Sequence, residues 1–421
     1  MSLPQIIETA SGYKYDWGQE QITIDVERIR NHSDRVTCQL NVSTTSPGYD
    51  GSHIYGPVSF NLCSMQSRRQ LEKILTEKCT EAPWYVILEQ LCNYTLDRVH
   101  RGEPVQELWG NKELSPPKYL VEPFLIENYP NVIFGEPSSA KSTFALILSQ
   151  LLLLPWHDNP LFLPTPETSC PSLYLDYETD RQTVQYQLSL LERGMDLPPL
   201  MVHYRYCSVP LPQDIDQIRG HIEATKARVL IIDSLGLACG GDLKEASSAI
   251  AFFSALRQLK TTSLILAHTN KDKEQRNKSI FGSQYFTAQA RNIWEIRKVQ
   301  EADENEIRVG LFHTKPAPFQ KKQRALGFRL SFNNESLTVS PIEAQSVPEF
   351  LQHLGTQRQI EELLKEGPQT TAEIMQNLEL SRGAADMALK RLRGKKKVVR
   401  IEKDKWGLQT SSVPFNTSNT C

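Results

Sequence analysis

Hydrophobic and polar positions change their rhythm three times along the chain. In the first hundred residues, EQITIDVERI and RVTCQLNVSTT alternate apolar and polar positions with period two, the pattern of half-buried strands. A turn-rich stretch, SPGYDGSHIYG, leads to a third strand candidate, PVSFNL. Two helical patterns follow, Met65 to Thr80 and Pro83 to Arg101. Together they predict a small α+β module over residues 1–103, with no motif that carries chemistry. RGEPVQELWGNKELSPPKYLVEP is rich in proline and charge and has no period, so residues 104–118 are expected to form a linker.

From about Tyr119 short apolar runs alternate with helical stretches. NVIFG, SLYLDYE, VHYRY, RVLIIDS and SLILAHT are buried-strand candidates, and Ala246 to Lys260 sets Phe252, Leu256 and Leu259 on one helical face. This alternation predicts an α/β domain over residues 119–345, its sheet mostly parallel with helices on both sides. IRVGLFHTK and GFRLSF predict antiparallel strands at the sheet's far edge. In the last part, QRQIEELLKEG, TTAEIMQNL and SRGAADMALKRLRG fit three short helices and KKVVRIEKDKWGLQ a β pair. That order predicts a winged helix-turn-helix over residues 346–411, with a disordered tail at 412–421. No internal repeat is present.

Composition changes this picture little. The 421 residues suggest two to four domains, and 39% hydrophobic with 23% charged residues is ordinary for a globular protein. The net charge of −2 excludes a general polycation, so nucleic acid would need a local patch. Eight cysteines without a C-x-x-C pair predict reduced thiols and a cytoplasmic location rather than a disulfide frame or a zinc site. The N-terminal MSLPQIIETASGYKYDW lacks a basic flank followed by an apolar core, and no signal peptide is expected. The longest apolar run, LLLLPW, is too short to span a bilayer, and no membrane association is expected.

The candidate chemistry begins at Gly135-Glu136-Pro137-Ser138-Ser139-Ala140-Lys141-Ser142, with Thr143 next. This keeps the spacing of a phosphate-binding loop between a strand and a helix, with alanine for the second glycine. Loop N–H groups and the helix N-terminus would hold phosphate oxygens, Lys141 would reach the β- and γ-phosphates, and Ser142 would ligate Mg²⁺. Ala140 is tolerable at negative φ and strained at positive φ. Asp233 ends RVLIIDS, where an acid at the C-terminal end of a parallel strand faces the ligand crevice and could hold Mg²⁺. Asp176 and Glu178 end SLYLDYE, and either one could orient an attacking water. His268 ends SLILAHT, either reporting on the γ-phosphate or making an ordinary strand-end hydrogen bond.

These residues resemble the RecA-fold family that contains KaiC-like ATPases, most closely its RepA-type hexameric plasmid helicases. The resemblance is carried by GEPSSAKST, LYLDYE, VLIIDS, LILAHTNK, GSQYFTAQARNIW and LFHTKPAPF, in the family's order and over about half the chain. It implies a RecA-like P-loop core that binds ATP with Mg²⁺ and works as a homo-oligomer, a hexamer. In that resemblance Lys141 and Ser142 are the Walker A lysine and metal-ligating hydroxyl, and Asp233 is the Walker B aspartate. Glu178 aligns with the catalytic glutamate, so Asp176 is not the base. His268 aligns with the histidine linking the γ-phosphate to DNA loops. Arg291 aligns with the arginine finger that reaches a neighbour's ATP, and Lys315 with a basic residue near the same interface. Ala140 and Ala267 depart from the family pattern, which has glycine and a second histidine there.

The resemblance further implies a DNA-dependent ATPase, a replicative-type helicase of a mobile element. An ATP-switched DNA-bound regulator or loader is the alternative. Single-stranded DNA would pass through a central channel lined by the loop carrying Lys271, Lys273, Arg276 and Lys278, which equally suits a solvated surface. Duplex DNA would bind the winged helix. Between Ser381 and Lys405 ten basic residues face three acidic ones, an excess of seven in a chain of net charge −2. Arg382, Lys390, Arg391, Arg393, Lys395, Lys396 and Lys397 are its candidate contacts, against the alternative of a protein-docking face.

Overall fold

The structure is a computed structural model that describes residues 2–9, 11–31, 34–46, 53–101, 105–110, 113, 115–154, 159, 161–270, 279–282, 284–301 and 304–409. It divides into two compact units, Met1–Ser115 with Gln213–Lys226, and Pro116–Pro212 with Ala227–Cys421.

The first unit is an antiparallel meander with two helices. Its strands are β1 (Gln5–Thr9), β2 (Gly12–Trp17), β3 (Ile22–Asn31), β4 (Val36–Thr44) and β5 (His53–Asn61), paired in chain order. The two expected period-two runs are β3 and β4, the third strand candidate falls in β5, and β1 and β2 are additional. Helices α1 (Met65–Lys78) and α2 (Trp84–Arg101) follow. The strands alternate as the pattern requires: Ile22, Ile24 and Val26 are buried, as are Val36, Cys38, Leu40 and Val42. They form one core with Leu71 and Leu75 of α1 and Ile87, Leu88 and Leu91 of α2.

The second unit opens with a short hairpin, β6 (Tyr119–Val121) and β7 (Leu125–Ile126). Then come β8 (Pro130–Gly135), α3 (Lys141–Leu153), β9 (Ser172–Asp176), α4 (Arg181–Gly194) and β10 (His203–Tyr206). The next helix, α5 (Ile215–Thr225), groups with the first unit. After it come β11 (Val229–Asp233), α6 (Leu235–Ala238), α7 (Ala246–Leu259), β12 (Thr262–His268), α8 (Gln284–Gln289) and β13 (Asn292–Val299). The sheet is completed by β14 (Glu306–Lys315), β15 (Leu326–Phe332) and β16 (Leu337–Ile342).

These strands form one nine-stranded sheet in the order β10-β9-β11-β12-β8-β13-β14-β15-β16. The first six are mutually parallel and the last three antiparallel. The five expected core strands are all present, and β14 and β15 lie towards the far edge as read. Strands β13 and β16 are additions to the sequence reading. β16 contains Pro341, which an edge strand tolerates because one side of its backbone faces no partner. Val229 and Ile231 of β11 join the core around α3, whereas the equally buried Leu230 and Ile232 do not, as alternation across a two-sided sheet requires. Helix α3 is buried nearly all round, from Phe144 to Leu152.

The chain continues through α9 (Pro348–Leu351), α10 (Thr356–Leu363), β17 (Gln369–Thr370), α11 (Thr371–Asn377), α12 (Arg382–Gly394), β18 (Val398–Glu402) and β19 (Lys405–Leu408). A capping box, Thr370 with Glu373, starts α11, and the Ser381 hydroxyl caps α12. Ile360, Leu364, Ile374, Ala388, Leu389, Leu392 and Val398 make a separate small core, beside a three-stranded sheet ordered β17-β19-β18. Among the described residues no helix is long and apolar enough to cross a membrane, and the seven described cysteines are free. The tail expected at 412–421 lies outside the described residues.

Candidate nucleotide site

Four neighbouring parallel strands end side by side and deliver the candidate residues to one edge. Register places Asp233 opposite Asp176 across β11 and β9, and His268 opposite Gly135 across β12 and β8. The loop after β8 bends tightly. A Cβ on Gly135 would lie 2.5 Å from the Ile296 carbonyl oxygen of β13, so only glycine fits there. Ser138 and Ala140 take positive φ, 59° and 66°. The condition set for Ala140 therefore resolves to its strained side, since a Cβ in the left-handed region costs about 1–2 kcal/mol. Helix α3 starts at Lys141 with no side-chain cap, so its first N–H groups point into the loop without a protein acceptor from a capping side chain.

Lys141 is buried, and its Nζ donates to the carbonyl oxygens of Glu136 at 2.7 Å and Gly135 at 3.3 Å. Burial lowers its pKa, opposed by the nearby Asp233, Glu178 and Glu136 carboxylates. Asp233 is buried too, and burial raises its pKa, while hydrogen bonds from Ser142 and Tyr174 oppose that rise. The Tyr174 hydroxyl donates to Asp233 Oδ2 at 2.5 Å. A serine hydroxyl and a carboxylate held together are hard oxygen donors of the kind Mg²⁺ takes alongside substrate phosphates. Among the described residues no group of three or more His, Cys, Asp or Glu side chains is arranged to hold a metal unaided.

The two carboxylates of β9 separate cleanly. Asp176 is fully buried and saturated: Oδ1 accepts from the backbone N–H groups of Glu178 (3.0 Å) and Thr179 (2.9 Å), and Oδ2 from the hydroxyls of Thr179 (2.6 Å) and Tyr204 (2.9 Å). It builds the turn from which Glu178 projects. Glu178 accepts from the Ser234 hydroxyl and lies 3.3 Å from His268 Nε2. The His268 hydrogen bond, above all, lowers the Glu178 pKa, so this carboxylate is ionised and able to accept a proton. Ser234 and Tyr174 were missed in the sequence. Ser234 directly follows Asp233, a position that could have signalled it, whereas Tyr174 reads as one more apolar core residue.

Arg291 lies elsewhere. Helix α8 ends at Gln289 and Arg291 directly precedes β13, its backbone N–H bonded to Pro130 O at 3.0 Å. Six residues form α8, too few to carry the pattern onward. Arg291 thus sits at the opposite end of the parallel strands from the phosphate loop, exposed and without an ion pair among the described residues. Its surroundings are rigid. His313 stacks on Trp294 at 4.5 Å, Nε2 pairs with Asn292 Oδ1 (2.9 Å) and Nδ1 accepts from the Gln323 N–H (2.9 Å). Burial pushes the His313 pKa down to about 4, so the ring is neutral. Lys315 Nζ donates to the carbonyls of Thr287, Ala288 and Ala290, closing the end of α8, so its first task is within its own chain.

Of the basic residues expected to meet DNA, Lys271, Lys273, Arg276 and Lys278 lie outside the described residues. On the C-terminal module, Lys397 binds both oxygens of Glu361 at 2.8 and 2.9 Å, and Lys395 donates to Gln357 Oε1 at 2.9 Å. Arg382 stands 4.0 Å from Asp386, whereas Lys390, Arg391, Arg393 and Lys396 are exposed.

Comparison with known proteins agrees with this geometry. A family model described as an AAA domain matches residues 95–274, a span that contains the phosphate loop, Glu178, Asp233 and His268 and stops short of Arg291. With the strand order and the strand-end acids, that match supports a P-loop ATPase core of the RecA type. Among solved structures the chain is similar to a KaiC-like protein from the hyperthermophilic archaeon Pyrococcus horikoshii, at 12% identity, 53% of this chain, 94% of that chain and a TM-score of 0.36. No curated protein matches the chain.

Proposed function

We propose that the protein is a DNA-dependent ATPase that hydrolyses ATP at the interfaces of a homo-oligomeric ring, a hexamer of the RepA helicase type serving a mobile element. The observation that supports this best is the gathering of Lys141, Ser142, Asp233, Glu178 and His268 at one edge of the sheet while Arg291 occupies the other. Mg²⁺, when bound with the nucleotide, neutralises charge on the β- and γ-phosphates. Lys141 and the loop N–H groups bind the phosphates, Ser142 and Asp233 hold the metal, and Glu178 takes the proton of the attacking water. His268, bonded to Glu178, responds to the γ-phosphate. Arg291 is too far from its own loop to act there. β8 alone separates them by about 17 Å at 3.3 Å per residue, so its guanidinium serves a neighbour's nucleotide.

In this reading residues 1–103 are an adaptor module and 104–118 a linker. The winged helix at 346–411 grips duplex DNA through the exposed face of α12, and Lys271, Lys273, Arg276 and Lys278 line the channel for single strands. The protein works in the cytoplasm. A second reading, an ATP-switched regulator or loader, is favoured by Ala267, where helicases of that type carry a second histidine. ATP turnover measured with and without single-stranded DNA, beside unwinding of a forked duplex, tests both. DNA-stimulated turnover with unwinding supports the helicase. Stimulation without unwinding selects the switch, and no turnover in any condition overturns the ATPase.

A further inference from the structure

We infer that a stacked tyrosine pair, Tyr174 and Tyr204, positions the two halves of the nucleotide site separately: Tyr174 the metal-holding aspartate and Tyr204 the turn that presents the base. The inference rests on the ATPase reading and deepens it. Tyr174 and Tyr204 are directly opposite on β9 and β10, with ring centroids 6.4 Å apart and planes inclined by 20°. Their hydroxyls diverge. That of Tyr174 reaches across to β11 and donates to Asp233 Oδ2 at 2.5 Å, and that of Tyr204 donates to Asp176 Oδ2 at 2.9 Å.

Tyr174 is fully buried. Its phenol holds one carboxylate oxygen of Asp233, and Ser142 lies against the same pair. Removing that hydroxyl leaves a buried carboxylate free to rotate and short of a donor. Tyr204 acts one step further out. Asp176 has three other donors, so its turn survives without the tyrosine, but the aspartate loses one of the four bonds that set the direction of Glu178. Neither tyrosine touches the phosphates. Both are positioning residues.

The test is fluorescent-ADP binding to the full-length protein across a Mg²⁺ titration, with and without EDTA, alongside ATP turnover. Tyr174→Phe is expected to raise the Mg²⁺ concentration needed for tight nucleotide binding about tenfold, the order lost with one hydrogen bond to a charged group, and to leave metal-free binding unchanged. Tyr204→Phe is expected to keep the wild-type Mg²⁺ dependence and lower kcat several-fold. Equal Mg²⁺ dependence in wild type and Tyr174→Phe overturns the inference, as does a matching metal defect in Tyr204→Phe. Should Tyr174→Phe fail to fold, the test rests on Tyr204→Phe against wild type: an unchanged Mg²⁺ dependence with a lower kcat upholds the division of roles, and a shifted Mg²⁺ dependence or an unchanged kcat overturns it. Failure of the wild type to bind adenine nucleotide in any condition removes the ATPase reading itself, a result distinct from all of these.

Discussion

At the carboxyl edge of the parallel strands each candidate side chain already has a protein partner, whereas at the amino edge Arg291 is exposed with no ion pair among the described residues. The carboxyl edge holds four acids and bases in fixed positions: Lys141 against loop carbonyls, Asp233 against Tyr174 and Ser142, Glu178 against Ser234 and His268. These side chains are held in place by the protein itself. The amino edge is organised differently. Lys315, Asn292 and His313 are all engaged in holding the strand entry, and Arg291 is exposed with no ion pair among the described residues. The difference teaches that one end of the sheet is closed on its own side chains while the other leaves a cation exposed, as the proposed use of Arg291 by another chain requires.

Variants can break that comparison, beginning with the harshest. Lys141→Ala is expected to remove nucleotide binding and turnover together, read by fluorescent-ATP titration; retained binding would show that the carboxyl edge is not the phosphate site. Arg291→Ala is expected to keep affinity and lose turnover by on the order of 10³-fold, the scale on which arginine fingers act in other NTPases. Mixing Arg291→Ala with Lys141→Ala subunits should then restore part of the activity, and a fully active monomer at low concentration would refute the division between the edges. Glu178→Gln is expected to preserve binding and slow turnover by on the order of 10²-fold. Full-rate hydrolysis by that variant would take the base assignment away.

Smaller effects sharpen the picture. Lys390→Ala and Arg393→Ala should each reduce the salt slope of duplex binding by about one ion. Lys397→Ala should leave the slope unchanged and slightly lower the melting temperature, because Glu361 loses one of its two cations and keeps Arg358. Ala140→Gly relieves a left-handed alanine and is expected to stabilise the protein by roughly 1 kcal/mol, seen as a higher melting temperature.

Much of the nucleotide edge was legible because strand ends are readable. An apolar run that stops on an acid says where a side chain emerges, and Asp176, Asp233 and His268 all obey this. What stayed hidden depends on partners far apart in the chain. Nothing in SLYLDYE separates Tyr174, bonded to an aspartate 59 residues away, from a tyrosine that only fills space. Asp176 and Glu178 looked equivalent until the backbone N–H groups that saturate one of them were placed. A count of basic residues in the C-terminal module includes Lys397, although Glu361 already neutralises it. The positive φ of Ala140 is likewise invisible in composition, since alanine is ordinarily read as the residue that avoids it. Strand β13 escaped notice because the short α8 ahead of it lends its periodicity to the first strand residues.

Strand β13 links the two ends. Its Ile296 is paired with Gly135 at the foot of the loop, and four residues earlier the same strand begins at Asn292, next to Arg291. Hydrogen-bonded on both sides, to β8 and β14, this strand joins the phosphate loop to the exposed arginine, so that if Arg291 serves a neighbour as proposed, a shift at either end of β13 is felt at the other.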